Sequence, residues 1–118
     1  CTYVGLHRPI LEACAAAGVK AVVCEKPFLK SPADCAAVRA LVATSGMRVI
    51  VAHPRRYRIV MRRARALIEA GAVGRVRLIS ATVPDWDLNE MGAHWVDLVR
   101  DLAGDEPIRW VMGQTRVG

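Results

Sequence analysis

Two groups of residues in this 118-residue chain have the types and spacing that chemistry uses. The first is Glu25-Lys26-Pro27, directly after the apolar run Ala21-Val22-Val23-Cys24. A charged pair beside a buried strand is costly unless something engages it. The proline fixes its own φ and restricts the residue before it, so Lys26 leaves the strand in a set direction. The same tripeptide also serves as an ordinary charged turn. The second group is Glu90, His94, Asp97 and Asp101, whose spacings of four, three and four put all of them on one helix face. A carboxylate beside a histidine can orient the ring and raise its basicity, as a general base needs. A solvated polar face gives the same pattern. No metal is expected there: no cysteine lies near, and His7 and His53 belong to other elements.

The elements that must position these residues are short and sharply bounded. Residues 1–4 read as the end of a strand. A helix follows over 9–17, with Pro9 near its first turn and Gly18 past its end. Residues 21–24 and 48–52 are brief apolar runs of the kind found in buried parallel strands. Between them, Ser31-Pro32-Ala33-Asp34 is a helix start with a capping residue and proline at the first position, and Gly46 is a stop. A long basic helix is expected within 54–70, with an apolar stripe of Val60, Ala64, Leu67 and Ile68. Residues 75–83 and 108–112 read as β-rich, and 90–103 as helical. The β-α-β-α-β order of the first half predicts a parallel sheet covered by helices. In such sheets ligands bind beyond the carboxyl ends of the strands. Gly5 and His7, then Glu25-Lys26-Pro27, then His53, Arg55 and Arg56 would all stand there. Arg55 and Arg56 also sit where a helix dipole disfavours cations by roughly 0.3–1 kcal/mol, which a bound anion would offset. Equally, they are two more arginines of an arginine-rich helix.

Composition narrows the classes. Hydrophobic residues make up 53% and charged residues 24%, which is globular rather than disordered. No apolar run approaches the ~20 residues of a membrane span, so no membrane association is expected. The net charge of +6 is local. Between Arg55 and Arg77 lie eight arginines and one acid, and the remainder is close to neutral. Such a segment is usually a solvated helix face, and with aromatics at 5% the stacking surfaces that single-stranded nucleic acid needs are scarce. The four cysteines form no C-x-x-C pair and read as reduced, buried thiols of a cytoplasmic protein.

Taken in order, these motifs resemble the glucose–fructose oxidoreductase / inositol dehydrogenase / rhizopine-catabolism (Gfo/Idh/MocA) family. The resemblance runs through Cys1-Thr2-Tyr3, His7, the helix ending in Ala17-Gly18, "VKAVVCEKP", "VIVAHPRRY", "GAVGRV", "GAHWVDL" and "AGDEP", and covers nearly the whole chain. Glu90 departs from it, standing where the family often has aspartate, and the stretch from Val76 to Glu90 is shorter than in most members.

The resemblance implies an α/β fold: the C-terminal part of a Rossmann-like parallel sheet over residues 1–53, then a linking helix and the start of an α/β substrate domain over 54–118. It implies NAD or NADP as cofactor and hydride transfer to or from an alcohol carbon of a sugar or polyol such as a cyclitol. Lys26, His94 and Glu90 become the catalytic candidates. His7, Glu25, Lys26, Pro27 and Arg56 become cofactor-binding candidates, and Lys26, His94 and Asp97 substrate-binding ones. The phosphate-cradling G-x-G-x-x-G loop does not occur in these residues and is expected upstream of Cys1. The chain therefore reads as the middle of a longer, homo-oligomeric cytoplasmic enzyme. The alternatives are a non-catalytic sugar- or nucleotide-binding relative and, further off, a nucleic-acid-binding module built on the arginine segment.

Overall fold

A computed structural model of the protein describes residues 2–83 and 88–114. It contains helix α1 (His7–Ala16), strand β1 (Ala21–Cys24), helix α2 (Pro32–Ser45), strand β2 (Arg48–Val51), helix α3 (Ile59–Glu69) and helix α4 (Ala93–Leu102). A 3-10 turn, Val4–Leu6, leads into α1, another, Pro54–Tyr57, precedes α3, and a π-type turn, Leu88–Gly92, opens α4.

β1 and β2 pair in parallel, from Ala21 opposite Arg48 to Cys24 opposite Val51. Parallel pairing requires a crossover, and α2 supplies it. Local chemistry sets the limits of α2. The Ser31 hydroxyl accepts a hydrogen bond from the Asp34 amide at 3.1 Å, and Gly46 ends the helix at φ 66°, a left-handed conformation that glycine adopts without steric cost. Leu11 of α1, Val38 of α2 and Met47 form a buried core, with Val22 and Val49 packed on it from the sheet. Alternation sends Val23 and Ile50 to the other face, where they are exposed.

Several sequence expectations give way. Val4 belongs to a 3-10 turn rather than a strand, and Cys1 lies outside the described residues. Residues 75–83 and 108–112 form no strand: among the described residues they meet no ladder, and Leu78, Trp110, Val111 and Met112 are exposed. β propensity becomes a strand only when another backbone meets its N–H and C=O groups. The basic helix is interrupted at Arg58, whose extended backbone (φ −64°, ψ 138°) separates the turn from α3. The half-buried face of α3 is Met61, Ala64, Arg65 and Ile68, and Val60 and Leu67 are exposed. Of the cysteines, Cys24 is buried, Cys14 half-buried and Cys35 exposed, so uniform thiol burial does not hold. Burial pushes the Cys24 thiol above its usual range, which favours the inert protonated form. Among the described residues no helix is long and apolar enough to cross a membrane.

Candidate active site

Parallel pairing carries the ends of β1 and β2 to the same edge. The Ala52 amide donates to the Cys24 carbonyl at 2.8 Å, extending the ladder by one step. Lys26 and His53 each follow two residues beyond those strand ends, and both line one cleft of about 360 Å³. Its other walls are Pro27 and Phe28 on the sheet side and Asn89, Ala93, Asp97 and Arg100 on the α4 side. The cleft therefore lies between the two halves of the chain, and the Lys26 ammonium bridges it by donating to the Glu90 carbonyl at 3.2 Å. The Lys26–Pro27 peptide bond is cis.

The polar face of α4 points inward. His94, Asp97 and Asp101 are buried, whereas Val96 is half exposed. This inversion of the usual pattern depends on arginines from outside the helix. The Arg56 Nε donates to both Asp97 carboxylate oxygens at 2.8 Å, and its Nη1 and Nη2 reach Asp105 at 2.7 and 3.0 Å. Arg65 donates to Asp101 at 2.6 Å. The interruption at Arg58 turns Arg56 towards α4 and leaves Arg65 on α3. Hydrogen bonds that Arg56 donates to Asp105, and then to Asp97, raise its pKa further, and Arg56 in turn holds the Asp105 carboxyl below the usual carboxylate range.

His94 is 8% exposed, and its Nδ1 is buried with no hydrogen-bond partner among the described residues. Burial pushes its imidazole below the usual histidine range, and the Arg55 and Lys26 charges act in the same direction. A ring so placed is neutral near pH 7, with a lone pair available for a proton. His94 is not among the residues lining the cleft. His53 lies between: it lines the cleft, and its ring meets His94 edge-on with centroids 6.4 Å apart. The His53 Nδ1 lies 3.8 Å from an Asp97 oxygen, beyond hydrogen-bond reach.

The sequence-derived candidates thus separate. Lys26, Pro27 and Asp97 share the cleft, with His94 packed behind it. Glu90 is exposed at the mouth of α4, where its main-chain carbonyl holds Lys26. No carboxylate orients the His94 ring through Nδ1, because that atom has no partner among the described residues. His7 and Glu25 line a different groove of about 190 Å³ along β1, together with Thr2, Leu11 and Val22. Arg56 directs its donors to Asp97 and Asp101 of α4 and to Asp105 just beyond it. Two contributors were placed by the sequence at the strand ends but given no role by the resemblance. His53 was identifiable as a polar residue after a buried strand. Arg55, whose guanidinium sits 4.9 Å from the centroid of the Trp95 ring, had no sequence signal that would pair it with a residue forty positions away.

The residues fit the nicotinamide end of a dinucleotide: a lysine, a proline and an imidazole meet beyond the carboxyl ends of parallel strands. They supply no glycine-rich cradle for a pyrophosphate. Among the described residues no group of three His, Cys, Asp or Glu side chains could hold a metal ion.

Comparison with known proteins agrees with this geometry. Residues 1–53 match the oxidoreductase family described by its NAD-binding Rossmann fold. Inositol 2-dehydrogenase 1 of Saccharopolyspora erythraea is 30% identical over 93% of this chain, which spans 36% of that relative's length. An inositol dehydrogenase homolog from Azotobacter vinelandii, solved with NADH and myo-inositol, superposes with a TM-score of 0.74 at 25% identity, over 89% of this chain and 32% of that one. The aldose-aldose oxidoreductase of Caulobacter crescentus, solved with glycerol, gives a TM-score of 0.76 at 29% identity, over 92% of this chain and 37% of that one. The chain spans about a third of the length of the relatives it matches. With an α/β Rossmann-like half that carries Glu25-Lys26-Pro27 at a strand end, a helix carrying His94 on the far side of the cleft, and inositol dehydrogenase relatives similar through both, this chain matches the Gfo/Idh/MocA oxidoreductase family over residues 1–53 and resembles its members beyond them.

Proposed function

We propose that the protein carrying this chain is an NAD- or NADP-dependent oxidoreductase acting on an alcohol carbon of a sugar or cyclitol. One observation carries the reading: Lys26, from the strand end of the Rossmann-like half, lines one cleft with Asp97 of α4 and reaches the carbonyl one turn before His94. Residues 1–53 contribute to the dinucleotide side, and residues 54–118 begin the substrate side. Lys26 and Pro27 would border the nicotinamide, which supplies the hydride acceptor.

In oxidation, the substrate C–H bond breaks and its electron pair leaves as hydride. The hydroxyl proton must leave as well. His94, held neutral one helical turn beyond the carbonyl that Lys26 engages, is the base assigned to that proton. Lys26 places a positive charge where the substrate oxygen becomes negative. Asp97, fixed by Arg56, offers a rigid acceptor to a neighbouring substrate hydroxyl. In reduction the same groups act in reverse.

The test is appearance of reduced nicotinamide when the protein is mixed with NAD or NADP and a panel of cyclitols and aldoses. Turnover that requires both Lys26 and His94 supports the reading. Dinucleotide binding without turnover of any polyol favours the non-catalytic relative instead.

A further inference from the structure

His7 does not reach the cleft. Its side chain is 3% exposed and lies under the segment that joins β1 to α2. The His7 Nδ1 is 2.9 Å from the Phe28 carbonyl oxygen, and Nε2 is 3.2 Å from the Thr2 carbonyl oxygen. Both partners are acceptors only, while a neutral imidazole carries a single N–H. The ring hydrogen is assigned to the shorter contact, so that Nδ1 donates to Phe28.

Phe28 stands two residues beyond Lys26. Among the described residues no main-chain hydrogen bond ties residues 27–30 to the sheet or the helices, and Pro27 has no N–H to give. Side-chain packing, that of Leu29 included, and one carbonyl anchor this segment. The Phe28 side chain packs against the Leu11, Val38 and Met47 core, and its carbonyl is held by His7. Lys26 must project from that segment across the cleft to the Glu90 carbonyl 3.2 Å away. A long, flexible side chain is only as well placed as the backbone that carries it.

We infer that His7 is a positioning residue for Lys26 and not a dinucleotide contact: its Nδ1–H, given to the Phe28 carbonyl, fixes the loop from which Lys26 enters the cleft. The inference rests on the proposed oxidoreductase reading for its consequence in turnover, but not for its geometry.

The experiment compares His7→Asn, His7→Gln and His7→Leu in the protein carrying this chain. The asparagine amide places a donor close to the Nδ1 position, the glutamine amide places one near Nε2, and leucine has none. His7→Asn should keep kcat within about threefold of the starting protein. His7→Gln and His7→Leu should lower kcat by roughly 10- to 10²-fold, the cost of misplacing a reacting group by about an ångström, with little change in KM for the dinucleotide. A second readout needs no turnover. The chain has three lysines, Lys20, Lys26 and Lys30, so acylation of Lys26 at fixed pH can be read by mass spectrometry against the other two. Lys26 should acylate faster in His7→Gln than in His7→Asn, because it loses its hold on Glu90. A rise confined to dinucleotide KM, or equal losses in His7→Asn and His7→Gln, overturns the inference. So does an unchanged Lys26 acylation ratio. If His7→Leu does not fold, the Asn–Gln pair still decides. A protein that turns over no polyol defeats the proposed function, while the acylation ratio continues to read the positioning.

Discussion

Replacing Arg56 by methionine should destabilise the protein far more than removal of a surface charge would. The side chain is 23% exposed and serves three carboxylates that differ in environment. Asp105 is 41% exposed, and losing that pair costs at most about 1 kcal/mol. Asp101 is 4% exposed but keeps Arg65 at 2.6 Å. Asp97 decides the outcome: it is 9% exposed, and Arg56 meets both its oxygens. Without Arg56 its remaining ionic neighbour is His53, at 3.8 Å. Removing one member of a buried pair costs about 3–5 kcal/mol, most of it from the bare charge left behind. Because one carboxylate of the three is stranded, the lower end applies, about 3 kcal/mol. Urea unfolding of Arg56→Met, followed by circular dichroism, measures it. The double variant Arg56→Met, Asp97→Asn should recover at least about half of the loss, since no bare carboxylate remains. A loss under about 1 kcal/mol, the size of a surface pair, would refute the reasoning. If that small loss came with weakened dinucleotide binding, Arg56 would return to the cofactor-binding role that the family resemblance implied.

Four further outcomes are expected. Lys26→Ala should cut turnover by at least about 10²-fold while the fold is kept, and near-normal turnover would remove Lys26 from the chemistry. Oxidation should fall with decreasing pH at a midpoint below 6.5, because protonated His94 cannot accept a proton, and His94→Asn should abolish that limb of the profile. The same shift links to stability. An unfolded His94 binds a proton near 6.5 and the folded one only at lower pH, so stability rises with pH across that window and is lost as pH falls through it, a slope that His94→Asn should flatten. Leu11→Ala, at a side chain 1% exposed in the α1–α2–sheet core, should cost about 3 kcal/mol in urea unfolding, and a cost below about 1 kcal/mol would mean the site collapses or admits water.

The sequence alone determined what local chemistry determines. Ser31, Pro32 and Gly46 set the ends of α2, because a cap, a fixed φ and a left-handed stop act within a few residues of themselves. The apolar runs at Ala21–Cys24 and Arg48–Val51 marked two parallel strands, and parallel pairing then required Lys26 and His53 to emerge at one edge. The tertiary structure decided everything that needed a distant partner. Residues 75–83 and 108–112 have strand composition, yet strands exist only in pairs. His94, Asp97 and Asp101 read equally well as a solvated face, and they are buried because Arg56 and Arg65, remote in sequence, arrive to neutralise the acids. His7 meets the carbonyl of Phe28, twenty-one residues on, a partner that spacing along the chain does not reveal. Spacing along a chain fixes which side chains share a face. Only packing fixes what that face meets, and the cost of a buried charge depends on whether that partner is present.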